Sequence, residues 1–279
     1  MLEKAYLEIT NTCNMACSFC HGTCRTPRVM EMAEFEALTD RLQGEVEYLY
    51  FHLMGEPLSH PLLPQFIKRA FEKGFRPMLT TNGSLLGEVG EALLKTPLRR
   101  ISISLHAPAA NAAFDEPDYL KNCISFAKRA AEQGIIVVLR LWNLGGVSEH
   151  GNDGILDALR AAFPHEWAKN RAGHRLADRL YLEWDVEFTW PDKDAPQSPE
   201  KSGLFCYALR NHVGILVDGT VVPCCLDADG VMNLGNLFDT PLQEILQSPR
   251  ARGIKEGFDC RRAVEPLCRT CGFAKRFTK

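Results

Sequence analysis

The chain has 279 residues, of which 46% are hydrophobic and 24% charged, with 32 Lys and Arg against 35 Asp and Glu. These proportions are typical of a soluble globular protein, and no apolar run is long enough to cross a membrane. Glu3 and Glu8 interrupt the pattern of charged, apolar and small residues that defines a signal peptide. We therefore predict a cytoplasmic protein with one large domain and a smaller one.

Strands and helices alternate over the first two thirds of the chain. Six short apolar segments are predicted as strands: Lys4–Thr10, Tyr48–Gly55, Arg76–Thr81, Arg100–His106, Ile135–Trp142 and Leu180–Phe188. Five segments with helical spacing of apolar residues lie between them: Glu34–Gly44, Pro61–Lys73, Glu88–Lys95, Tyr119–Gln133 and Gly154–Phe163. This alternation predicts a parallel sheet with right-handed crossovers, either a barrel or an open doubly wound sheet.

The composition changes at Trp190–Gly203, which is polar and rich in proline. We predict a linker there, and hence two domains, residues 1–190 and 191–279. Beyond it, His212–Val217 and Thr220–Pro223 are predicted to form a hairpin, because Asp-Gly is a favoured hairpin turn and Asp218-Gly219 joins them. Leu242–Leu246 is predicted as a short helix.

The cysteines fall into two groups near the ends of the chain, and only Cys123 lies between them. The first group is Cys13, Cys17, Cys20 and Cys24. The second group is Cys206, Cys224, Cys225, Cys260, Cys268 and Cys271. Close cysteines in a reducing compartment indicate metal sites or catalysis rather than disulfides. The C-x3-C-x2-C spacing of the first three supplies three ligands to a [4Fe–4S] cluster and leaves one iron open.

The segment Cys13–Cys20, with Phe19 just before its last cysteine, resembles the signature of the radical S-adenosylmethionine (radical SAM) enzymes. This resemblance implies an α/β protein built on a partial (β/α)6 TIM-like barrel. It also implies that the open iron binds S-adenosylmethionine (SAM), which is cleaved to a 5′-deoxyadenosyl radical. A zinc knuckle is the alternative interpretation of the motif taken alone.

Residues at other strand ends match the same family in part, where barrels of this kind place their chemistry. Met54-Gly55-Glu56-Pro57 resembles its Gly-Gly-Glu-Pro element, and Ser102–Ala107 resembles its Ser-Leu-Asp-Gly element, with His106 in place of Asp. His106 is the candidate catalytic residue, and a hydrogen-bonded structural histidine is the alternative. The candidate SAM-binding residues are Phe19, Gly55, Glu56, Pro57, Asn82, Ser104, Arg140 and Asn143. Arg140 lies in an apolar run, so we expect it to have an anionic partner, either a ligand or a nearby carboxylate.

The second cysteine group resembles the SPASM and shorter twitch extensions of radical SAM enzymes, through Cys206-x12-Gly219-x4-Cys224 followed by Cys268-x2-Cys271. The resemblance implies a small α+β domain with an auxiliary [4Fe–4S] cluster held by these four cysteines. Cys225 in place of Cys224, or Cys260 in place of Cys206, is the alternative ligand set. A zinc ribbon with four cysteine ligands is the alternative to a cluster.

Two clusters predict an oxidation in which the substrate radical passes one electron to the auxiliary cluster. The cysteine spacing and chain length resemble those of the radical SAM dehydrogenase of butirosin biosynthesis, which favours a small-molecule substrate. We expect a low-potential electron donor such as flavodoxin or ferredoxin. A peptide-modifying maturase that forms thioethers, epimerises or crosslinks residues is the alternative, less favoured because the first strand begins near Lys4 with no leader-binding domain before it. A non-catalytic electron carrier is the remote one.

The last thirty residues are basic, with nine Lys and Arg against three Asp and Glu in residues 250–279. A basic stretch is a common feature of nucleic-acid binding. An anionic cluster in its shell of thiolates gives a local reason for the same charge, and the stretch lacks the interleaved aromatic residues of single-strand binders. We therefore predict neither a nucleic-acid partner nor a membrane partner.

Overall fold

The computed structural model describes residues 2–114, 117–196 and 203–277. Residues 197–202 of the predicted linker Trp190–Gly203 lie outside these ranges. The strands are β1 Leu2–Leu7, β2 Val46–Tyr50, β3 Arg76–Thr81, β4 Arg100–Ser104, β5 Ile136–Leu144, β6 Ala168–Lys169, β7 Gly173–Ala177, β8 Leu180–Val186, β9 His212–Ile215, β10 Thr220–Val222 and β11 Gly235–Asn236. The α-helices are α1 Met32–Leu42, α2 Leu63–Glu72, α3 Leu86–Leu94, α4 Tyr119–Glu132, α5 Asn152–Ala162, α6 Leu242–Leu246, α7 Pro249–Asp259 and α8 Pro266–Thr270.

One sheet contains all these strands, in the order β11-β10-β9-β1-β2-β3-β4-β5-β8-β7-β6. The six strands from β1 to β5 together with β8 pair in parallel, and they correspond to the six predicted strands. The α/β class of the barrel region is therefore confirmed. The β6–β7 hairpin, which pairs antiparallel with β8, was not predicted, because both residues of β6 are exposed and carry no apolar alternation.

The two faces of the parallel strands carry different side chains. Residues such as Leu7, Leu49 and Ile101 are fully buried and join one core with the helices, in which the rings of Phe35 and Phe66 stack at 4.2 Å. The opposite, inner face is polar and aromatic, with Lys4, Tyr6, Tyr50, His52, Arg100, Ser104, Arg140 and Glu183. Closed barrels of this type fill the interior mainly with Val, Ile and Leu. A polar inner face therefore indicates a cavity that receives ligands.

The chain after residue 203 continues the same sheet. β9 pairs in parallel with β1, placing His212 opposite Lys4, and turns back into β10 as the predicted hairpin. Helix α6 has its predicted bounds, whereas α7 was not predicted, because Gly253 and Gly257 weaken its helical pattern. The division into residues 1–190 and 191–279 stays a prediction, and both sides of it contribute strands to one sheet.

Gly55 lies where the chain leaving β2 touches the chain leaving β1. Its φ is +75°, and a Cβ there would stand 2.4 Å from the carbonyl oxygen of Thr10 and 2.7 Å from that of Thr12. The next residue, Glu56, donates its backbone N–H to the Thr12 carbonyl at 2.8 Å. Only glycine allows this approach, which fixes the start of the first cysteine loop against β2.

We expect Gly55→Ala to lower the free energy of unfolding by roughly 2–5 kcal/mol, from the left-handed backbone and the overpacking together. Chemical denaturation of the purified protein measures this. Gly154→Ala is the matched control, because Gly154 lies in α5 with open space around a built Cβ, and we expect it to be neutral or slightly stabilising. Equal stability of the two variants would contradict the steric argument.

Candidate functional site

A cavity at the carboxyl ends of the parallel strands contains most of the predicted site residues. The predicted residues that line it are Cys13, Cys17, Phe19, Cys20, Gly55, Glu56, Asn82, Ser104, His106 and Arg140. Residues that the sequence analysis did not select also line it, among them His52, Trp142, Phe188, Trp190 and Cys225. Residues far apart in sequence thus meet at one site, where this architecture places chemistry.

Three thiols of the first cysteine group line this cavity, those of Cys13, Cys17 and Cys20. Cys17 Sγ donates to the Ala107 carbonyl at 3.5 Å, and Cys13 Sγ accepts from the Met15 backbone at 3.4 Å. Burial raises the pKa of all three thiols, to about 12 for Cys17. Thiolates here need a strong positive charge beside them, which iron supplies on binding.

The spacing of these side chains fits a cluster better than a single ion. Among the described residues, no three His, Cys, Asp or Glu side chains come close enough together to hold one metal ion. Zinc draws four ligands around one centre, whereas the thiolates of an iron–sulfur cluster each bind a different iron. The arrangement of Cys13, Cys17 and Cys20 around one cavity therefore fits a cluster with an open iron.

The first cysteine loop is tied to the segment Cys224–Asp229, which we call the bridging segment. Asp229 Oδ1 accepts from Thr23 Oγ1 at 2.6 Å and from the Cys24 backbone at 2.9 Å. Arg25 Nε donates to the Ala228 carbonyl at 2.8 Å. The bridging segment therefore begins at a cysteine of the second group and ends against the loop that carries the first.

Glu8 is a buried carboxylate that joins the same regions from below. Its Oε1 accepts from Arg25 Nη2 at 2.6 Å and from the Met54 backbone at 3.2 Å, and its Oε2 accepts from the Val217 backbone at 3.0 Å. Burial raises the pKa of this carboxyl, and the bonds to Arg25 act in the opposite direction. Glu8 therefore links β1, the first cysteine loop, the end of β2 and the hairpin region.

The Glu56 carboxylate accepts three hydrogen bonds from other groups of the protein. It accepts from the Leu58 backbone at 2.9 Å, from Thr81 Oγ1 at 2.6 Å and from the Asn82 backbone at 2.7 Å. Asn82 in turn bonds Asn14 in the cysteine loop at 2.9 Å. Burial raises the pKa of Glu56 to about 7 in spite of its three donors. The residue holds the ends of β2 and β3 together at the cavity wall, and its direct contact with SAM stays a prediction.

The raised pKa of Glu56, about 7 against an ordinary 4.5, predicts a pH-dependent stability. The folded state holds the proton more tightly, so the stabilisation is present below pH 4.5 and is lost as the pH rises through 7. Between pH 5.5 and 8 we expect the wild type to lose about 2 kcal/mol of unfolding free energy relative to Glu56→Gln. Urea unfolding of both proteins at both pH values measures this, and parallel pH profiles would contradict it.

His106 is buried and neutral. Its Nδ1 lies 3.0 Å from the Arg140 carbonyl, and its ring centre lies 4.9 Å from that of Phe19. Burial lowers the pKa of His106 to about 4. The imidazole is therefore neutral at pH 7 and cannot act as a cationic acid. Its contacts join the Phe19 ring to β5. A catalytic role for His106 stays a prediction.

Arg140 and Asn143 lie on opposite sides of β5. Arg140 Nη2 donates to Ser104 Oγ at 2.9 Å, and its guanidinium carbon lies 4.3 Å from the centre of the Trp142 ring. Asn143 is fully buried away from the cavity, and its Nδ2 bonds the Ser148 carbonyl at 3.0 Å. Asn143 does not line the cavity, because side chains three residues apart on a strand point in opposite directions. Contact of either residue with SAM stays a prediction.

Pro57 also lies away from the cavity. It is buried at the start of a short 3₁₀ turn, Pro57–Ser59, that Glu56 caps. Proline suits this position because its fixed φ matches the first residue of such a turn. Pro57 therefore shapes the loop after β2, and its contact with SAM stays a prediction.

The structure brings together the four cysteines of the proposed auxiliary site. The pKa of Cys224 is raised well above its usual range, by burial first and then by the neighbouring thiols of Cys225, Cys206, Cys268 and Cys271. Burial and the thiols of Cys206 and Cys271 do the same for Cys268. Cys260 is exposed at the end of α7, and Cys225 lines the barrel cavity. The fold thus brings Cys206, Cys224, Cys268 and Cys271 within electrostatic range of one another, and Cys225 with them. That the first four hold a second cluster stays a prediction.

Comparison with known families decides what kind of protein this is. Residues 7–159 match the model of the radical SAM superfamily. The chain belongs to the radical SAM superfamily. Residues 206–272 match the SPASM model, described as an iron–sulfur cluster-binding domain. This radical SAM enzyme therefore uses SAM and [4Fe–4S] clusters, one of them auxiliary.

Proteins with similar sequences are named for several different reactions. A "Probable GTP 3′,8-cyclase" of Methanothermobacter marburgensis is 26% identical over 297 residues, covering 92% of each chain. One from Methanothermobacter thermautotrophicus is 30% identical over 151 residues, which are 52% of this chain and 49% of that relative, so the match spans about half of its length. An S-adenosylmethionine-dependent nucleotide dehydratase of Selenomonas ruminantium is 31% identical over 88 residues, covering 31% of this chain and 32% of that one.

Solved structures share the fold. BtrN in complex with AdoMet and 2-DOIA superposes with a TM-score of 0.62 at 17% identity, covering 97% of this chain and 93% of that one. SuiB of Streptococcus suis gives a TM-score of 0.61 at 15% identity, covering 96% and 72%. The barrel with its C-terminal SPASM region is therefore confirmed. Within the described part of the chain, no helix is both long and apolar enough to span a membrane.

Proposed function

We propose that this radical SAM enzyme is an oxidoreductase that removes two hydrogens from a small-molecule substrate. Cys13, Cys17 and Cys20 hold the SAM-binding cluster, and Cys206, Cys224, Cys268 and Cys271 hold the auxiliary cluster. One observation carries the proposal: Cys225 lines the cavity, and it also lies within electrostatic range of Cys206 and Cys271 of the second group. Its neighbour Cys224 lies among the thiols of the same group. The auxiliary site and the substrate cavity therefore share a wall.

Two clusters and SAM would suffice to remove two hydrogens from a substrate. When bound, the two clusters and SAM supply a 5′-deoxyadenosyl radical and an acceptor for one electron. Removal of two hydrogens would then consist of one hydrogen atom taken by that radical, one electron taken by the auxiliary cluster and one proton released to solvent. Four aromatic rings line the cavity and would keep water from the reacting carbon. They belong to Phe19, Trp142, Phe188 and Trp190. Glu56 fixes Asn82, and Asn82 bonds the cysteine loop, so the cavity keeps its shape during the reaction.

Peptide modification is the second candidate. Structural neighbours include SuiB bound to precursor peptide SuiA, with a TM-score of 0.58, and anSMEcpe with AdoMet and Cp18Cys peptide, with a TM-score of 0.56. These likenesses favour a fold that accommodates peptides. The names of the sequence relatives, which are cyclases, a nucleotide dehydratase and a heme synthase, support radical chemistry on small molecules instead. A low-potential flavodoxin or ferredoxin is the electron donor that we propose for either reaction.

Anaerobic reconstitution with iron and sulfide tests the proposal. We expect roughly eight irons per chain and formation of 5′-deoxyadenosine from SAM in the presence of a reductant. Tandem mass spectrometry of the products then separates the two candidates by the molecule that is changed, because crosslinking within a peptide also removes two hydrogens and the mass loss alone is the same. An isomerised product or a crosslinked peptide would rule out dehydrogenation. Stoichiometric zinc in place of iron would rule out both candidates.

A further inference from the structure

Two buried polar atoms belong to side chains that line the same cavity and have no hydrogen-bond partner among the described residues. They are Nδ1 of His52 and Nε of Arg140. Buried polar atoms are almost always bonded, because leaving one unbonded costs roughly 1–3 kcal/mol. Two such atoms on one cavity wall indicate that a ligand supplies their partner.

Arg140 has no carboxylate within ion-pair distance in the described part of the chain, although Glu183 acts on its charge from further away. Its guanidinium donates to the neutral Ser104 hydroxyl and lies over the Trp142 ring. Glu183 stands opposite Arg140 in the β5–β8 register, but its carboxylate lies 3.8 Å from Arg100. A buried guanidinium without an anion is strongly destabilising, so the structure leaves room for an anion that arrives with a ligand.

His52 extends the same surface from β2. Its ring lies between those of Tyr6 and Tyr50, at centre distances of 5.5 and 5.6 Å. Burial lowers the pKa of His52 to about 3, so the imidazole is neutral and presents one N–H donor and one acceptor nitrogen. The packing on two tyrosines fixes the ring plane, which makes its free nitrogen a directed hydrogen-bonding group.

These two residues lie deeper than the cysteine loop. Arg140 pairs in register with Ser104, two residues before His106 and Trp142 along their strands. His52 directly follows Phe51 at the end of β2, on the inner face with Tyr50. The subsite therefore lies on the inner face of the sheet, below the mouth at which Cys13, Cys17 and Cys20 hold the cofactor.

We propose that His52 and Arg140 form a subsite that binds an oxyanion group, a carboxylate or a phosphate, of the substrate. This inference rests on the proposed function, since it assigns a substrate class to the same cavity. A guanidinium matches either group through paired N–H donors, and a neutral imidazole adds one further donor. SAM also carries a carboxylate, so the test separates the two sources of the anion.

The test measures binding of inorganic phosphate and of acetate to the reconstituted holoenzyme by equilibrium dialysis, with and without saturating SAM. We expect one phosphate or one acetate per chain, bound equally well when SAM is present. Arg140→Gln and His52→Phe each weaken this binding at least about tenfold, and Arg140→Lys weakens it less, because the charge remains. His174→Phe is the matched control, since His174 also has a buried unpartnered Nδ1 but lies outside this cavity, and it leaves binding unchanged.

Three results would overturn the subsite: no anion binding, binding unaffected by the His52 and Arg140 variants, or displacement of the anion by SAM. The last result would assign the subsite to the SAM carboxylate. Formation of 5′-deoxyadenosine by the same samples reports on the proposed function independently. Its persistence in His52→Phe, together with lost anion binding, shows that the substrate subsite and the radical-generating site are separate.

Discussion

Replacing Cys13, Cys17 and Cys20 together by alanine is expected to abolish cleavage of SAM. The variant keeps about four of roughly eight irons, because the cysteines of the second group are untouched. Formation of 5′-deoxyadenosine falls to background, since no other described thiol of this loop faces the cavity at the same place. Iron analysis and chromatography of the SAM products, both under anaerobic conditions, measure the two effects.

Cys24→Ala is the matched control for the triple variant. Cys24 lies in the same loop and is exposed, and alanine keeps the backbone N–H that bonds Asp229 while losing only the thiol's contact with that carboxylate. We expect full iron content and unchanged SAM cleavage for this variant. Cleavage that survived in the triple variant would remove the basis for a SAM-binding cluster at these cysteines.

The second large effect is expected from Cys268→Ala combined with Cys271→Ala. Loss of two of the four gathered thiols removes the auxiliary cluster, so about four irons remain. The cavity residues keep their places, and 5′-deoxyadenosine still forms. Formation of the product that lacks two hydrogens falls at least about a hundredfold, or about 2.7 kcal/mol in barrier, because the substrate radical has no electron acceptor.

Cys260→Ala serves as the control, since Cys260 is exposed at the end of α7 and outside the gathered set. It should retain the iron and the product of the wild type. Loss of an iron–sulfur cluster in this control would show that Cys260 replaces Cys206 as a ligand. Undiminished product in the double variant would show that the auxiliary cluster does not take the electron.

The sequence predicts best those features that depend on neighbours in the chain. Cys13, Cys17 and Cys20 lie within eight residues, so their spacing alone indicates a shared metal site. β3 was predicted with its observed bounds, Arg76–Thr81, because an apolar run ends there in the turn signal Asn82-Gly83. The parallel sheet followed from the alternation of strands and helices, which does not depend on where each element begins and ends.

Side-chain direction and long-range contacts could not be predicted in the same way. Asn143 was placed in the SAM site because it is polar and near Arg140, although an odd separation on a strand sends it to the opposite face. His52 was missed because a single histidine after an aromatic strand carries no motif. The sequence offers Cys225 only as an alternative ligand in place of Cys224, since nothing in it indicates that this residue also lines the cavity. Counting residues along β5 would have predicted that Asn143 and Arg140 point to opposite sides of the strand.

The bridging segment bears on how far such enzymes can be treated as modules. Asp229 and Ala228 bond the loop of the first cysteine group, and the Val217 backbone completes the shell of Glu8. A C-terminal half exchanged with that of a relative would have to reproduce these contacts as well as its own four cysteines. Without them, Glu8 would keep a buried carboxylate oxygen with no donor, and the SAM-binding loop would lose its anchor. Chimeras joined before Val217 therefore test whether recombination between such enzymes is limited by these few hydrogen bonds.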